Sequence, residues 1–512
     1  MPDSSQPRRP WLAAILSFLF PGLGQAYAGR WRLALAFAAP VLLLAVAVVA
    51  ALTVFADRVR LDIFSSSFII GVLVLDAALF AWRSAAIAQA GLVPVAPRTA
   101  PEPNAERRRG RDVTAVIILL ALTVAMHAYV GVVLGALDQT LGQVFAGGEE
   151  RPPATDGGTT SQPDDPEEPI NEPDYHWDGT ERVNFLLLGV DSGPGREEAL
   201  TDTILVVSID PVDESAVMVS IPRDTGFVPL PDRRIHPDGL YPDKINSLSS
   251  VAEANADLWC PDLISARACG LRTLERTVGL YLGIPIHYYA TVDLTGFAEL
   301  IDALGGVELC LPGTLVDPEY SGPTWAPRYG IELPAGCHRY GGAEALAFAR
   351  IRKGWIELPN GEIDYQNDFE RADRQQEVLL ALRRELADTN LVFELPAILE
   401  AVGRTVSTDF PREQAGNLAS LLPLITGPEI ERTVLGYPDF VDEPLDATAN
   451  YLLIPRRDAI REAMSELFGA TGLQGWYLGT SDELPPIESD PADPSATPAA
   501  ARPTRTGLRV EA

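Results

Sequence analysis

The chain has 512 residues, 47% of them hydrophobic, and its 70 acidic against 40 basic side chains leave a formal net charge of -30. That length exceeds one ordinary domain, and that apolar content excludes a chain disordered throughout. The acidic excess argues against nucleic acid as a partner, because neutralising phosphates needs a basic face.

Residues 1–140 read as a membrane region. Leu33 to Phe55, Ile63 to Trp82 and Val113 to Leu137 are apolar runs long enough to cross a hydrocarbon core of about 30 Å as helices. Trp11 to Ala28 is also apolar but is broken by Pro21, Gly22 and Gly24, so it reads either as a re-entrant or interfacial segment or as a further span. Arginines mark cytoplasmic loops. Arg8 and Arg9, then Arg30 and Arg32, then Arg83, Arg98, Arg107, Arg108, Arg109 and Arg111 form basic groups, whereas Asp57, Arg58, Arg60 and Asp62 balance. Keeping every basic group inside requires three crossings after Arg32 and places everything beyond Leu137 outside. The rival reading is a signal peptide cleaved after Ala26-Tyr27-Ala28, which would leave the large domain inside, against the arginines. Asp76 and His127 fall within spans, where ionisable groups are functional candidates by default.

Residues 147–180 are rich in Pro, Gly, Asp and Glu and read as an acidic linker holding the next domain off the membrane; residues 482–512 read as a disordered tail. Between them, Phe185 to Val190, Thr203 to Ile209, Ala216 to Ile221, Tyr288 to Asp293 and Val307 to Leu311 are continuous apolar runs, predicted as buried strands. Leu271 to Leu282, Leu294 to Leu304, Gly342 to Phe348 and Phe369 to Leu386 are predicted helices, the second stopped by Gly305-Gly306. The fold class is α/β, a layered domain with a mostly buried central sheet flanked by helices. All four cysteines, Cys260, Cys269, Cys310 and Cys337, lie in this part. Their even number fits an oxidising compartment; of three possible pairings, Cys260 with Cys269 and Cys310 with Cys337 closes the shortest loops. No Cys-x-x-Cys or His-x-x-x-His spacing supports zinc instead.

Asp191 ends an apolar strand at a DSGPG turn and Asp202 opens the next one. A turn-forming role explains Asp191 equally well. Adjacent strand ends, however, could bring both carboxylates to one sheet edge, where Mg²⁺ is held by few protein oxygens plus water and substrate. Arg371 and Arg374 fall in the first two turns of a helix with Asp368 as its expected N-cap, where the macrodipole disfavours cations unless an anion docks there. The alternative is a solvated face paired with Glu370, Asp373 and Glu377. Arg350 and Arg352, two apart, would face one side of an extended segment and grip one phosphate. Arg223 and Asp224 in PRDT, and Lys244 in DKIN, are weak signals singly.

LLLGVDSG, LTDTILVVSIDP, VSIPRDT, DKINSL, GFAELIDALGGVEL, ALAFARIRK and DFERADRQQEV, in that order, resemble the LytR-CpsA-Psr family of bacterial cell-wall enzymes, from about Val183 to Leu386 with a weaker continuation toward Leu467. The resemblance implies a catalytic domain over residues 183–390 with a C-terminal extension over 391–478, anchored in the cell membrane and exposed outside it. It further implies an Mg²⁺-dependent phosphotransferase, Mn²⁺ being the substitute, that moves a glycopolymer from a polyprenyl pyrophosphate carrier to a peptidoglycan sugar hydroxyl. By motif, Asp191 and Asp202 would hold the metal, while Arg223, Lys244, Arg350, Arg352, Arg371, Arg374 and Gln375 would hold the pyrophosphate; Asp191, Asp202, Arg223, Arg350 and Arg352 form the catalytic set. Asp224 and Asp368 are candidates for the general base. One departure stands out: where the family usually has Arg just before or one place ahead of the TDT triplet, this chain has Leu200, and Arg196 is the candidate substitute. Phosphoryl transfer of this kind needs alignment and charge neutralisation, not a Ser, Cys or His nucleophile. Leu271 to Leu282 and Leu294 to Leu304 would line a lipid tunnel, or simply pack a core. The competing function is a polyprenyl-phosphate-binding sensor or transcription attenuator without turnover, disfavoured because residues 83–112 are too short for a cytoplasmic effector domain.

Overall fold

The computed structural model describes residues 9–54, 64–92, 105–147, 177–190, 200–232, 235–236, 238–261, 265–323, 329–388, 395–421, 430–442 and 451–468. Most of the expected linker and all of the expected tail lie outside these residues.

The N-terminal region consists of α1 (Pro10–Leu19), α2 (Leu23–Tyr27), α3 (Trp31–Val54), α4 (Ser66–Leu92) and α5 (Ala105–Val144). Three of these, α3, α4 and α5, contain stretches long and apolar enough to cross a membrane. The broken first segment is a hairpin of two short helices, too short to span, folded against the others. It is fixed by Gln25, buried, whose Nε2 donates to Ala86 O and Gln89 Oε1, both at 2.9 Å, and by Arg83 Nε, which donates to Phe18 O at 3.0 Å. Gly24 makes this fold-back possible, since a Cβ there would lie 1.9 Å from Ala13 O. His127 Nδ1 and Asp76 Oδ1 meet at 2.7 Å between α4 and α5.

The large domain is built on a six-stranded mixed sheet of order β13-β6-β1-β2-β3-β14, where β1 is Val183–Val190, β2 Thr201–Asp210, β3 Ser215–Ser220, β6 Tyr288–Asp293, β13 Val406–Thr408 and β14 Glu431–Val434. β1, β2 and β3 run antiparallel, while β6 joins β1 and β14 joins β3 in parallel. Alternate residues feed different cores, which is why the strands read as continuous apolar runs. Leu186, Leu188, Ile204, Val206, Val217 and Val219 face a core shared with α6 (Ile245–Ala254), α8 (Ala266–Leu282) and α13 (Arg457–Phe468). The short α7 (Ala256–Trp259) links α6 to α8. A second core joins α9 (Leu294–Ala303), α10 (Gly342–Arg350) and α11 (Asp368–Asp388) to β7 (Val307–Leu311) and β10 (Gly336–Tyr340). α9 is capped at both ends: Asp293 accepts from Thr295 N and Gly296 N, and Gly305 and Gly306, at φ 80° and 94°, return N–H groups to Asp302 O and Ile301 O.

Beside these lies a four-stranded antiparallel layer of order β12-β11-β8-β9, formed by β8 (Thr314–Ser321), β9 (Tyr329–Leu333), β11 (Trp355–Glu357) and β12 (Ile363–Tyr365). Two small ribbons, β4 (Val228–Pro229) with β5 (Leu240–Tyr241) and β15 (Val441–Asp442) with β16 (Ile454–Pro455), complete the sheets. Disulfides join Cys260 to Cys269 and, across the β7–β10 ribbon, Cys310 to Cys337.

Where the sequence suggests a domain held off the membrane, the structure seats the domain on the ends of α4 and α5. Ile69, Leu141 and Phe145 share one core with Trp177, Val183, Tyr288, Phe410 and Ala415. The ring of Phe410 is 4.7 Å from Tyr288, 6.1 Å from Phe145 and 6.2 Å from Trp177. Arg412 Nη2 donates to Asp138 Oδ1 (2.6 Å) and its Nε to Phe64 O (3.1 Å), and Thr140 Oγ1 donates to Leu399 O (2.8 Å) in α12 (Leu395–Thr405). The physical reason is the apolar surface of the last turns of α5, which continues beyond the spanning stretch and finds these partners.

Candidate active site

Three chain segments bring charge to the end of the sheet where β1 stops and β2 starts. The register pairs Val190 with Thr201 after a bulge at Gly189, so Asp202, the second residue of β2, sits at this edge. Asp191 directly follows Val190, but it and Arg196 lie outside the described residues. The second segment leaves β3 through Ile221-Pro222 into a turn closed by Thr225, whose N–H and hydroxyl both donate to Pro222 O, at 3.1 and 2.7 Å. The turn presents Arg223 and Asp224, and α6 locks it: Ile245 N donates to Thr225 O and Asn246 N to Arg223 O. The third segment is the start of α11. Its N-cap is Asn367, not Asp368: Asn367 Oδ1 accepts from Phe369 N at 2.7 Å, and Glu370 Oε2 accepts from Asn367 N at 3.0 Å. This reciprocal box satisfies the helix start without Asp368 and leaves that carboxylate for the cluster.

Arg223 Nη1 donates to Asp202 Oδ1 at 2.7 Å, and its Nη2 lies 3.9 Å from Asp368 Oδ2. Arg371 Nη1 is 2.9 Å from Asp368 Oδ1, one helical turn back, and its Nη2 reaches Asp202 O at 3.4 Å. Lys244 Nζ donates to Asp224 Oδ1 at 2.8 Å. Arg371 is buried at 6% exposure. Burial works to lower the Arg223 value, but Asp368, Asp202 and Asp224 together outweigh it and hold the guanidinium above its ordinary range. For Arg371 burial prevails, aided by the neighbouring Arg223, and the value falls despite Asp368. The Nε atoms of Arg223 and Arg371 are both buried and find no hydrogen-bond acceptor among the described residues. An unmet buried N–H costs about 1–3 kcal/mol, and two on adjacent guanidinium groups would suit an anion with several oxygens.

Not every expected residue joins this cluster. Arg374 is 5% exposed, and its nitrogens are spent inside the protein: Nε donates to Phe348 O at 2.8 Å, and the terminal nitrogens bond Gln366 Oε1 and Ile351 O. It therefore caps the end of α10 and is no free phosphate ligand; burial pulls its value down to about 10. Gln375 follows it, its Nε2 reaching Ala349 O at 3.4 Å. Arg350 and Arg352 do not share an extended segment. The Ala-Leu-Ala-Phe-Ala run keeps α10 helical through Arg350, Ile351 turns inward as the cap, and Arg352 is exposed beyond it. α8 packs into the first core and α9 into the second.

For a metal, Asp202 offers a carboxylate of the hard-oxygen kind that suits Mg²⁺, with one oxygen engaged by Arg223 and a side chain 23% exposed. No group of three or more His, Cys, Asp or Glu among the described residues is arranged to hold a cation, so a metal here would rely on Asp202, on oxygens of its substrate and on residues outside the described ones. Reasoning from the sequence missed Tyr451, whose ring lies 6.0 Å from Lys244 Nζ; nothing in its surroundings in the chain signals that position.

The family model for the LytR_cpsA_psr family matches residues 154–465. Among curated proteins, the chain is 31% identical over 238 residues to the polyisoprenyl-teichoic acid–peptidoglycan teichoic acid transferase TagU of Halalkalibacterium halodurans, covering 46% of this chain and 64% of that one. It is 30% identical over 230 residues to the regulatory protein MsrR of Staphylococcus aureus, covering 45% and 57%. The match thus spans less than two thirds of either relative. The solved TagV of B. subtilis is 24% identical, with a TM-score of 0.41, over 56% of this chain and 97% of that chain.

Proposed function

The chain belongs to the LytR-CpsA-Psr family, and from that premise we propose that it is a membrane-anchored phosphotransferase of cell-wall assembly. It takes a glycopolymer from a polyprenyl pyrophosphate carrier and joins it to a sugar hydroxyl of peptidoglycan. The observation that carries the reading is the pairing of half-buried Arg223 with buried Arg371, interleaved with Asp202 and Asp368 and holding two buried N–H groups without acceptors among the described residues. A relative that its name describes as a teichoic acid transferase supports the same class of reaction.

In this reading the acceptor oxygen bonds to the phosphorus that bears the glycan. The bond from that phosphorus to the bridging oxygen breaks, and polyprenyl phosphate leaves with the electron pair. Arg223 and Arg371 bind the diphosphate and neutralise charge that grows on the leaving oxygen. Asp224 or Asp368 receives the hydroxyl proton. Asp202 and Asp191 would hold Mg²⁺, or Mn²⁺ in its place, which supplies further charge neutralisation. Lys244, fixed by Asp224, steadies the outer phosphate. Arg350, half-buried at the end of α10, and the exposed Arg352 add positive charge for the diphosphate. The domain faces outward, in keeping with the arginine distribution of the spans and with two disulfides.

The relative described as regulatory gives a second reading, a carrier-binding protein without turnover. Purified full-length chain in lipid nanodiscs, given a polyprenyl pyrophosphate glycan, Mg²⁺ and peptidoglycan fragments, separates the two. Release of polyprenyl phosphate with glycan on the acceptor is expected; tight carrier binding with no release would overturn the transferase in favour of the regulator.

A further inference from the structure

Tyr451 belongs to the C-terminal extension, yet it stands at the rim of the charged cluster. Its segment is stitched to the PRDT turn by backbone pairing. Thr225 and Leu453 form a parallel bridge, Gly226 N donates to Leu453 O, and Leu453 N donates to Asp224 O, both at 2.9 Å. Leu453 is buried at 1% exposure, so the position of this segment is fixed by packing as well. Arg223 lies two residues before the bridge on one segment, and Tyr451 two residues before it on the other.

The ring of Tyr451 is 6.0 Å from Lys244 Nζ, and that ammonium is 2.8 Å from Asp224 Oδ1. A tyrosine serving only the core would be sunk; this one stays 36% exposed beside a cation. In the transferase reading, a diphosphate on Arg223 and Arg371 carries the first sugar of the donor at one end, and Lys244 and Tyr451 flank the cluster on its Asp224 side. One face of a pyranose is lined with C–H groups, which lie well against a flat aromatic surface, while its hydroxyls need polar partners at the edge. The rim offers both, the ring of Tyr451 and the ammonium of Lys244.

We propose that Tyr451 is the stacking platform for the first pyranose of the donor, with Lys244 beside it bonding a sugar or phosphate oxygen. The proposal rests on the transferase reading above and makes the C-terminal extension a determinant of which sugar is accepted.

The test uses full-length protein in nanodiscs and two probes, bare polyprenyl diphosphate and polyprenyl diphosphate bearing one N-acetylhexosamine. Tyr451→Ala is expected to weaken binding of the sugar-bearing probe about tenfold, a loss in the range of an aromatic contact, and to leave the bare probe within about twofold. Tyr451→Phe keeps wild-type affinity for both. Equal losses for both probes, or unchanged affinity for the sugar-bearing one, overturn the platform and leave the transferase standing. Wild-type protein that binds neither probe overturns the transferase reading and the platform with it.

Discussion

Arg371 and Arg374 lie one turn apart on α11, and replacing each with Met should have opposite consequences. Arg374 bonds two backbone carbonyls and one side-chain amide oxygen in a setting only 5% exposed. Bonds to a charged donor are worth about 1.5–3 kcal/mol each, and Met leaves all three acceptors without one. The gain from no longer burying a charge, visible in the value drawn down to about 10, offsets part of this. A net loss of about 3–5 kcal/mol follows, which at about 2–4 °C per kcal/mol for a domain of this size lowers Tm by about 6–20 °C. Arg371 has one close ion pair, a long bond at 3.4 Å and an Nε without an acceptor, so its replacement should cost less, about 1–2 kcal/mol once the relief from burying its charge is counted. Turnover should nevertheless fall about 10²–10³-fold, the usual cost of removing a preorganised donor from a developing charge. Thermal unfolding by circular dichroism and release of polyprenyl phosphate, measured on the same preparations, check both halves. Equal Tm losses in the two variants, or loss of turnover at unchanged Tm in Arg374→Met, would refute the division between them.

Asn367→Ala removes the cap of α11 and should lower stability by about 1 kcal/mol, read as a small drop in Tm. Phe410→Ala empties the centre of the shared core and should cost about 3–5 kcal/mol, with faster hydrogen exchange in β13 and in the last turns of α5; unchanged exchange there would contradict the seating of the domain. Replacing both Cys310 and Cys337 by Ser, with Cys260–Cys269 kept oxidised, removes a bond that closes a separation of 27 residues and should cost about 3.5 kcal/mol in denaturant titration; unchanged stability would contradict that contribution. Chelation should stop release of polyprenyl phosphate without moving Tm, and Mg²⁺ or Mn²⁺ should restore it; release that persists without divalent cations would remove Asp202 from any metal role.

The central strands were legible because both their faces are covered, so that continuous apolar runs mark β1, β2, β3 and β6 and leave little room for another reading. The stop of α9 at Gly305-Gly306 was legible for the same kind of local reason. The four-stranded layer of β8, β9, β11 and β12 was not, because its strands mix prolines, acids and exposed tyrosines such as Tyr329 and Tyr365. Arg350-Ile351-Arg352 alternates as a strand would, yet the helix-forming run before it carries the chain through Arg350. Arg223, Lys244 and Arg371 could be singled out from their motifs, but the engagement of Arg374 with α10 depends on a contact no local pattern encodes. The cap of α11 differs from expectation by one residue, and that single step decides whether Asp368 serves the helix or the cluster.

The core shared by Phe145, Trp177 and Phe410 sets an elevation. If the proposed function holds, a catalytic unit bolted to its anchor would not wander through a porous wall as one on a slack leash would, and its working zone would be confined to about one domain diameter, on the order of 50 Å, above the lipid surface. Under the proposed activity, the polymer would then be attached to freshly made strands at the growth front, and older, outer layers would receive it only by being displaced outward afterwards.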